Sequence, residues 1–375
     1  MMSWKIPSLE HPPEPPLPRV GLWLFLVVLI GIAGFGIGVY LSSIGILSSE
    51  ISNNQIIALF VVLPVIIILF VRLLAYSLTA YRHQLFTDML DDARQEWRYW
   101  ADKHLGLLTH TRLTQADEKK KESDSVSSLP INKDNILKLN ALRSLPSWEK
   151  TVKITQQLLE PIAAYIQQNT LTQPITLYYL SNEDDIDWIT QIRHEATRLS
   201  LALESVERLP YKSLSEWLLA LYENPFEPKL YAILAFQLDS TASEEAASLL
   251  IAPQGFYESL RAPIKAKLLR PISTEIKFFH DALKTQCKFQ LPGHQLNSVW
   301  HSGISDKNKS QCIKSYVQQD IHCLLNQFYD VDNFFGKGGV ARHSTILSLV
   351  SDNPENQLIV CQEHDNLLLQ QIILS

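Results

Sequence analysis

Two long apolar runs stand near the start of the chain, Val20 to Ser42 and Gln55 to Leu74, and no charged residue interrupts either until Arg72 at the far edge of the second. Each has the roughly 20 residues that an α-helix needs to cross a hydrocarbon core of about 30 Å. A core helix of a globular protein would show a polar stripe, and neither run has one. The first run is too long for the apolar stretch of a cleaved signal peptide, and a second follows at once. The pattern predicts a two-helix transmembrane hairpin over residues 20–76, with spans at about 20–42 and 55–75.

The charges around the hairpin give its expected orientation. Lys5 and Arg19 precede the first span, the connecting loop holds one acid, Glu50, and no Lys or Arg, and Arg72, Arg82, Arg94, Arg98 and Lys103 follow the second. Positive residues stay on the cytoplasmic side, so two passes are expected with both termini cytoplasmic. Pro64 is tolerable in a membrane helix. Gly31, Gly34, Gly36 and Gly38 give the first span a small-residue face that suits either packing of the two spans or a dimer. No ionisable residue lies in mid-membrane, which argues for an anchor and against a transporter or channel. Residues 1–19, with Pro12, Pro13, Pro15, Pro16 and Pro18, read as an extended cytoplasmic tail.

Beyond the hairpin the periodicity changes. Residues 77–130 read as a juxtamembrane helix and linker. Phe86, Leu90, Trp97 and Trp100 recur at helical spacing, Leu105 to Leu113 has strand character, and Gln115 to Ser128 is charged and serine-rich. The tryptophans suit an interfacial surface or packing on the soluble part. Whether the short strand joins the main sheet stays open. Residues 131–375 then alternate helices and strands. Helices are expected at Ser147–Gln168, up to Leu199 after an acidic cap at Asn182–Asp187, and at Ser213–Tyr222, Thr274–Lys284, Lys309–Phe328 and Val340–Val350. Strands are expected at Ile175–Leu180, Ser200–Leu209, Leu230–Leu238, Ala246–Ala252, Leu358–Gln362 and Leu367–Leu374, with a turn at Glu363–Asn366, while Asn297–His301 is short and apolar. The fold class is therefore α/β with a largely buried sheet.

The net charge of -6 argues against a nucleic-acid partner. Cys287, Cys312, Cys323 and Cys361 form no C-x-x-C pair, so neither a zinc site nor a disulfide framework is expected. The acids at 182–187 read as a helix cap, and no metal or other cofactor is expected. The chain has no G-x-S-x-G elbow, Walker A loop or G-x-G-x-x-G. Gly336-Lys337-Gly338-Gly339 lacks the Ser/Thr of a phosphate loop and reads as a turn before a helix. His322-Cys323 falls within an expected helix, where neighbours face apart, and His364 and Asp365 read as turn residues.

Two segments carry a resemblance. Ser243-Glu244-Glu245-Ala246-Ala247-Ser248-Leu249-Leu250 resembles the S/G-E-G-A-A-A-L-L-L strand of the thiolase-like (β-ketoacyl synthase) superfamily. Gly336-Lys337-Gly338-Gly339-Val340-Ala341, a helix and two closing strands resemble its Gly-His-Thr-Gly-Ala-Ala segment and final hairpin. The resemblance spans about Thr170 to Ser375 and implies a thiolase-like domain. It also implies a Cys nucleophile at a strand–helix elbow upstream of the acidic strand, activated by two histidines. Here no Cys precedes Cys287, Lys337 stands where one histidine would be, and His301 falls near the place of the other. The degenerate positions are Glu244, His301, Lys337 and Gly338, and the implied domain is catalytically dead. With the anchor and the proline-rich start, the chain is similar to accessory proteins of bacterial type VI secretion clusters. That resemblance implies an inner-membrane adaptor, not an enzyme, whose cytoplasmic domain binds an effector, a spike protein or a thiolase-like paralogue, with a homo- or heterodimer expected. The competing expectation is an acyl-thioester enzyme with a displaced cysteine, or an acyl-ligand-binding protein.

Overall fold

The computed structural model describes residues 4–7, 14, 19–45, 52–119, 131–321, 327–353, 355–363 and 365–374. The prolines at 12, 13, 15, 16 and 18, Glu50, most of the 115–128 linker, His322-Cys323 and His364 lie outside them. The chain divides into two compact units, Pro7–Glu96 and Met1–Ile6 with Trp97–Ser375.

In the smaller unit, α1 covers Val20–Ser43. The second helix starts as α2 (Asn53–Ile57), widens through a π-helical stretch at Ala58–Val62 and continues as α3 (Leu63–Asp102). Both helices are long and apolar enough to cross a membrane. The glycine face of α1 packs on the second helix. A Cβ at Gly34 would lie 1.9 Å from the Phe60 carbonyl oxygen, and one at Gly38 would lie 2.8 Å from Ile56 Cγ2. Pro64 explains the site, because it has no N–H to offer the carbonyl four residues earlier, that of Phe60. The π stretch is the local adjustment, and only glycine lets α1 close on the freed carbonyl. Of the two roles open to this small-residue face, the structure uses the intramolecular one. A cysteine pair at Gly31 and Val61, whose side-chain atom lies 3.8 Å from a Cβ at Gly31, is expected to oxidise readily. Adding Gly34→Leu is expected to cut the cross-linked fraction several-fold, and an unchanged yield would refute this packing.

Among the described residues the larger unit holds eleven strands: β1 (His104–Thr114), β2 (Ile175–Ser181), β3 (Leu203–Arg208), β4 (Leu230–Gln237), β5 (Glu245–Pro253), β6 (Ala266–Leu269), β7 (Ile272–Glu275), β8 (Ser298–Ser302), β9 (Phe328–Asp330), β10 (Gln357–Glu363) and β11 (Asn366–Leu374). Its helices are α4 (Gln115–Lys119), α5 (Ser147–Gln168), α6 (Trp188–Arg198), α7 (Leu214–Glu223), α8 (Gln254–Ser259), α9 (Phe279–Phe289), α10 (Asp306–Gln318), α11 (Val331–Phe335) and α12 (Arg342–Val350). The sheet order is β3-β2-β4-β5-β1-β6-β11-β10-β8-β9, with β7 also on β11. β1 pairs with β5 and β6, so the short strand belongs to the main sheet and residues 104–119 lie within the α/β unit.

The second half repeats the first. In β1-α5-β2-α6-β3-α7-β4-β5, strand β2 runs parallel to β3 and β4, while β5 is antiparallel to β4 and β1. In β7-α9-β8-α10-β9-α12-β10-β11, strand β8 runs parallel to β9 and β10, while β11 is antiparallel to β10 and β7. Period-2 alternation sends residues to both faces. Tyr231, Ile233 and Ala235 of β4 enter one core with α7 and α12, while Ala232, Leu234 and Phe236 enter another with α5 and α6. Likewise Ile359 of β10 joins the α7/α12 core, and Leu358 and Val360 pack under α9 and α10. The layers are thus helix, sheet, helix, sheet, helix, with α7 and α12 innermost. Each fully buried Leu, Ile or Phe in them is worth roughly 1.5–3 kcal/mol relative to exposure.

Two expected helices are shorter than their patterns suggested. The 274–284 segment starts as β7 and turns helical at Ile276, with α9 proper beginning at Phe279. The 309–328 helix stops at Gln318, two residues before Asp320 with φ of 55°, and Phe328 begins β9. At the other end of the unit Trp4 is buried. Its indole nitrogen donates to the Pro271 carbonyl at 3.0 Å, and its ring meets Trp100 edge-on at 5.2 Å. The Arg270 guanidinium lies 3.8 Å over Trp100. Of the two roles open to the tryptophans, Trp100 serves packing within this unit.

Candidate functional site: a cleft at the strand ends

Parallel strands present their carboxyl ends together, and in such sheets ligands sit outside those ends. Here Ser181, Arg208, Gln237, Ser302 and Glu363, the last residues of β2, β3, β4, β8 and β10, all line one cleft of about 1420 Å³. Leu180, Leu209, Ile304 and Val340 give it an apolar wall. The amino ends of the two innermost helices, α7 and α12, form its floor.

Ser213 caps α7. Its Oγ accepts from the Glu216 N–H at 3.2 Å and donates to Glu363 Oε2 at 2.8 Å, while Ser215 Oγ donates to Glu363 Oε1 at 2.5 Å. A carboxylate from one half of the fold therefore binds the start of a helix in the other. At α12, Arg342 is buried. Its Nε donates to both oxygens of Glu245 at 3.1 and 3.2 Å, and its Nη1 to Asp332 Oδ1 at 2.6 Å. Asp332 also accepts from Ser302 Oγ at 2.9 Å and the Gly303 N–H at 2.6 Å. The turn before α12 needs glycine at Gly336, whose φ is +71° and where a Cβ would meet the Asn135 carbonyl at 2.3 Å. His343 is buried in the cleft wall. Burial pushes its imidazole down, opposed by the Glu363 carboxylate and the Gln370 amide.

Of the expected positions, the structure brings Lys337 and Gly338 to the cleft. His301 points the other way, a correction with a simple cause. It follows Trp300 on β8, and Trp300 takes the inward face, so the next side chain must face outward. His301 Nε2 lies 2.7 Å from the Tyr316 hydroxyl in the outer layer, and burial lowers its pKa to about 4. Glu244 is also outside the cleft lining. It accepts from Lys150 Nζ at 2.6 Å and the Leu139 N–H at 3.0 Å, bracing the segment ahead of α5. The acids at 182–187 do cap and brace: Asp187 accepts from the Thr190 N–H at 3.1 Å, and Asp184 pairs with Arg208 at 2.7 Å. The described thiols are not activated. Burial raises Cys287 and Cys312 to about 12, and burial with the Glu363 and Asp332 charges holds Cys361, in the cleft wall, well above its ordinary value.

Sequence reasoning missed Ser213, Ser215, Asp332, Arg342, His343 and Glu363. One signal was available: the Arg342-His343-Ser344-Thr345 run follows a glycine turn, yet its segment reads as a core helix.

No protein-family model and no curated protein matches the sequence. Among solved structures the chain is similar to AntDE:AntF, a type II polyketide acyl-carrier protein in complex with its ketosynthase (10% identity, TM-score 0.47, 73% of this chain and 100% of that one). It is also similar to a ketosynthase domain of OzmH from Streptomyces albus (8%, 0.46, 73% and 96%) and to a variant of OleA from Xanthomonas campestris (9%, 0.43, 72% and 99%). Nothing of their activities is carried over to this chain.

Two outcomes are expected. Arg342→Met leaves the buried Glu245 without its cation, and denaturation of the detergent-solubilised protein should show a loss of about 3–5 kcal/mol. His301 is neutral in the fold, so its contribution is fully present above pH 6.5 and is lost as pH falls from there toward about 4. In His301→Gln the fall of the thermal midpoint across that window should be shallower.

Proposed function

We propose that the chain is a membrane-anchored, non-enzymatic binding protein whose cleft holds a protein partner. The reading rests on Glu363. Acyl-transfer chemistry needs a nucleophile at the elbow and donors aimed at a developing oxyanion. At the amino end of α7, a carboxylate instead takes both serine hydroxyls. This helix end therefore carries a negative charge of its own, and Cys361 in the cleft wall is a thiol, not a thiolate. The open cleft supplies cations for recognition. Among the described residues, the ammonium groups of Lys212 and Lys337 line it without a carboxylate partner.

The finer parts of the reading come from the chain's architecture. Two passes put both ends of the hairpin on one face of the membrane. The positive flanks favour the cytoplasmic side of a bacterial inner membrane. The docking of Trp4 within the unit that also contains Trp100 supports a single side for both ends. The partner we propose is a type VI secretion effector or spike component.

Full-length protein in mild detergent should show no cysteine-dependent hydrolysis or transfer with acyl thioesters, Cys361→Ala and Cys323→Ala behaving as the parent does. Affinity purification should recover an effector or spike protein, and Lys337→Glu should lower that recovery several-fold. Cysteine-dependent turnover, or recovery of an acyl carrier protein in place of these, would sink the reading in favour of an acyl-thioester enzyme.

A further inference from the structure

A second, smaller pocket lies beside the cleft, with which it shares Tyr211, and the inference drawn from it does not depend on the reading above. α7 crosses the inner face of the first half-sheet, packing Trp217 against Tyr178 of β2 and Tyr231 of β4. Beside it is a pocket of about 260 Å³, walled by these three rings and by Tyr211 from the β3–α7 loop, with Glu227 and Lys229 at its edge. The Trp217 ring is 5.7 Å from Tyr178 and 5.8 Å from Tyr231, so the aromatic wall is continuous, and Tyr211 is 40% exposed.

The charges around this wall are unbalanced. Glu207 pairs in register with Tyr178 across β3, which places it on the same face. Glu204 and Glu227 flank Lys229, whose Nζ is 3.1 Å from one and 3.3 Å from the other. Arg208, the next residue after Glu207, is turned away to Asp184 and the Ser181 carbonyl. Glu227 and Lys229 thus line the pocket beside four aromatic rings, and Glu204 and Glu207 add two further carboxylates close by. Burial first, and then the Glu207, Glu227 and Glu204 charges against that of Lys229, push the Tyr178 hydroxyl up.

We propose that this pocket binds an organic cation of the alkylated-ammonium class. A bare metal ion would have to shed tightly held water against mostly aromatic walls. A methylated ammonium carries its charge under an apolar surface, loses little hydration, and is held by ring quadrupoles and rim carboxylates together.

The test uses full-length protein in a maltoside detergent, titrated with choline and followed by saturation-transfer NMR of the choline methyls and by calorimetry. The neutral isostere 3,3-dimethylbutan-1-ol is the control for shape. Choline should bind saturably, and the alcohol about fivefold or more weaker, the ratio expected for one cation–π contact. Tyr211→Ala and Glu227→Gln should each weaken choline binding several-fold, while Tyr211→Phe, which keeps the ring, should not. Both positions are exposed, so an unchanged thermal midpoint will show that the variants fold. Equal binding of choline and the alcohol would reduce the pocket to an apolar recess. That result, choline binding that ignores both substitutions, or the absence of saturation would each overturn the proposal.

Discussion

The Arg342 guanidinium is the point on which the larger unit turns. Glu245 opens β5 in the first half, Asp332 sits in α11 of the second, and Arg342 begins the innermost helix between them. A charge with only 6% exposure is a costly thing to keep in a fold. It is tolerable because its neighbours satisfy it, including the Gly336 carbonyl at 3.0 Å. What the arrangement supplies is position more than net stability. The two halves are already joined through β6, which pairs with both β1 and β11, and a planar donor shared by two carboxylates fixes α12 against both of them.

Glu363 makes the matching stitch from the opposite direction, from β10 of the second half to Ser213 and Ser215 of the first. The cleft floor is therefore crossed twice by ionic or charge-assisted contacts between the repeats. Such a floor is rigid and well satisfied. Reactive sites, by contrast, commonly hold groups poised between protonation states. Rigidity of this kind suits recognition, in which a preformed surface meets a partner without a further ordering cost.

Much of this could be read in the residues, for identifiable reasons. The two long apolar helices, β2, β4, β5, β10 and β11 have long apolar runs bounded by turn residues, and α6 carries its Asp187 cap in plain view. The internal repeat could not be seen. Its second copy depends on β7 and β9, four- and three-residue strands that sit against helices and read as continuations of them. β9 has only β8 as a neighbour, so tertiary pairing, not local propensity, defines it. The site was half legible. Glycines before α12 marked the turn, and Lys337 and Gly338 do line the cleft. Whether His301 faced in or out depended on one residue of register, which no motif specifies. Glu363 looked like a turn because its partners, Ser213 and Ser215, are about 150 residues away in the chain.

The burial of Trp4 also imposes an order on synthesis. Its carbonyl partner, Pro271, lies 267 residues further along. At about 5–20 residues per second, roughly 13–53 s separate the two on the ribosome. Both apolar helices emerge in that interval, so the hairpin can enter a bilayer while the first tryptophan still waits for its seat. A segment made before both helices is thus fastened only after Pro271 has followed them, and its docking registers that the strands around Pro271 are in place.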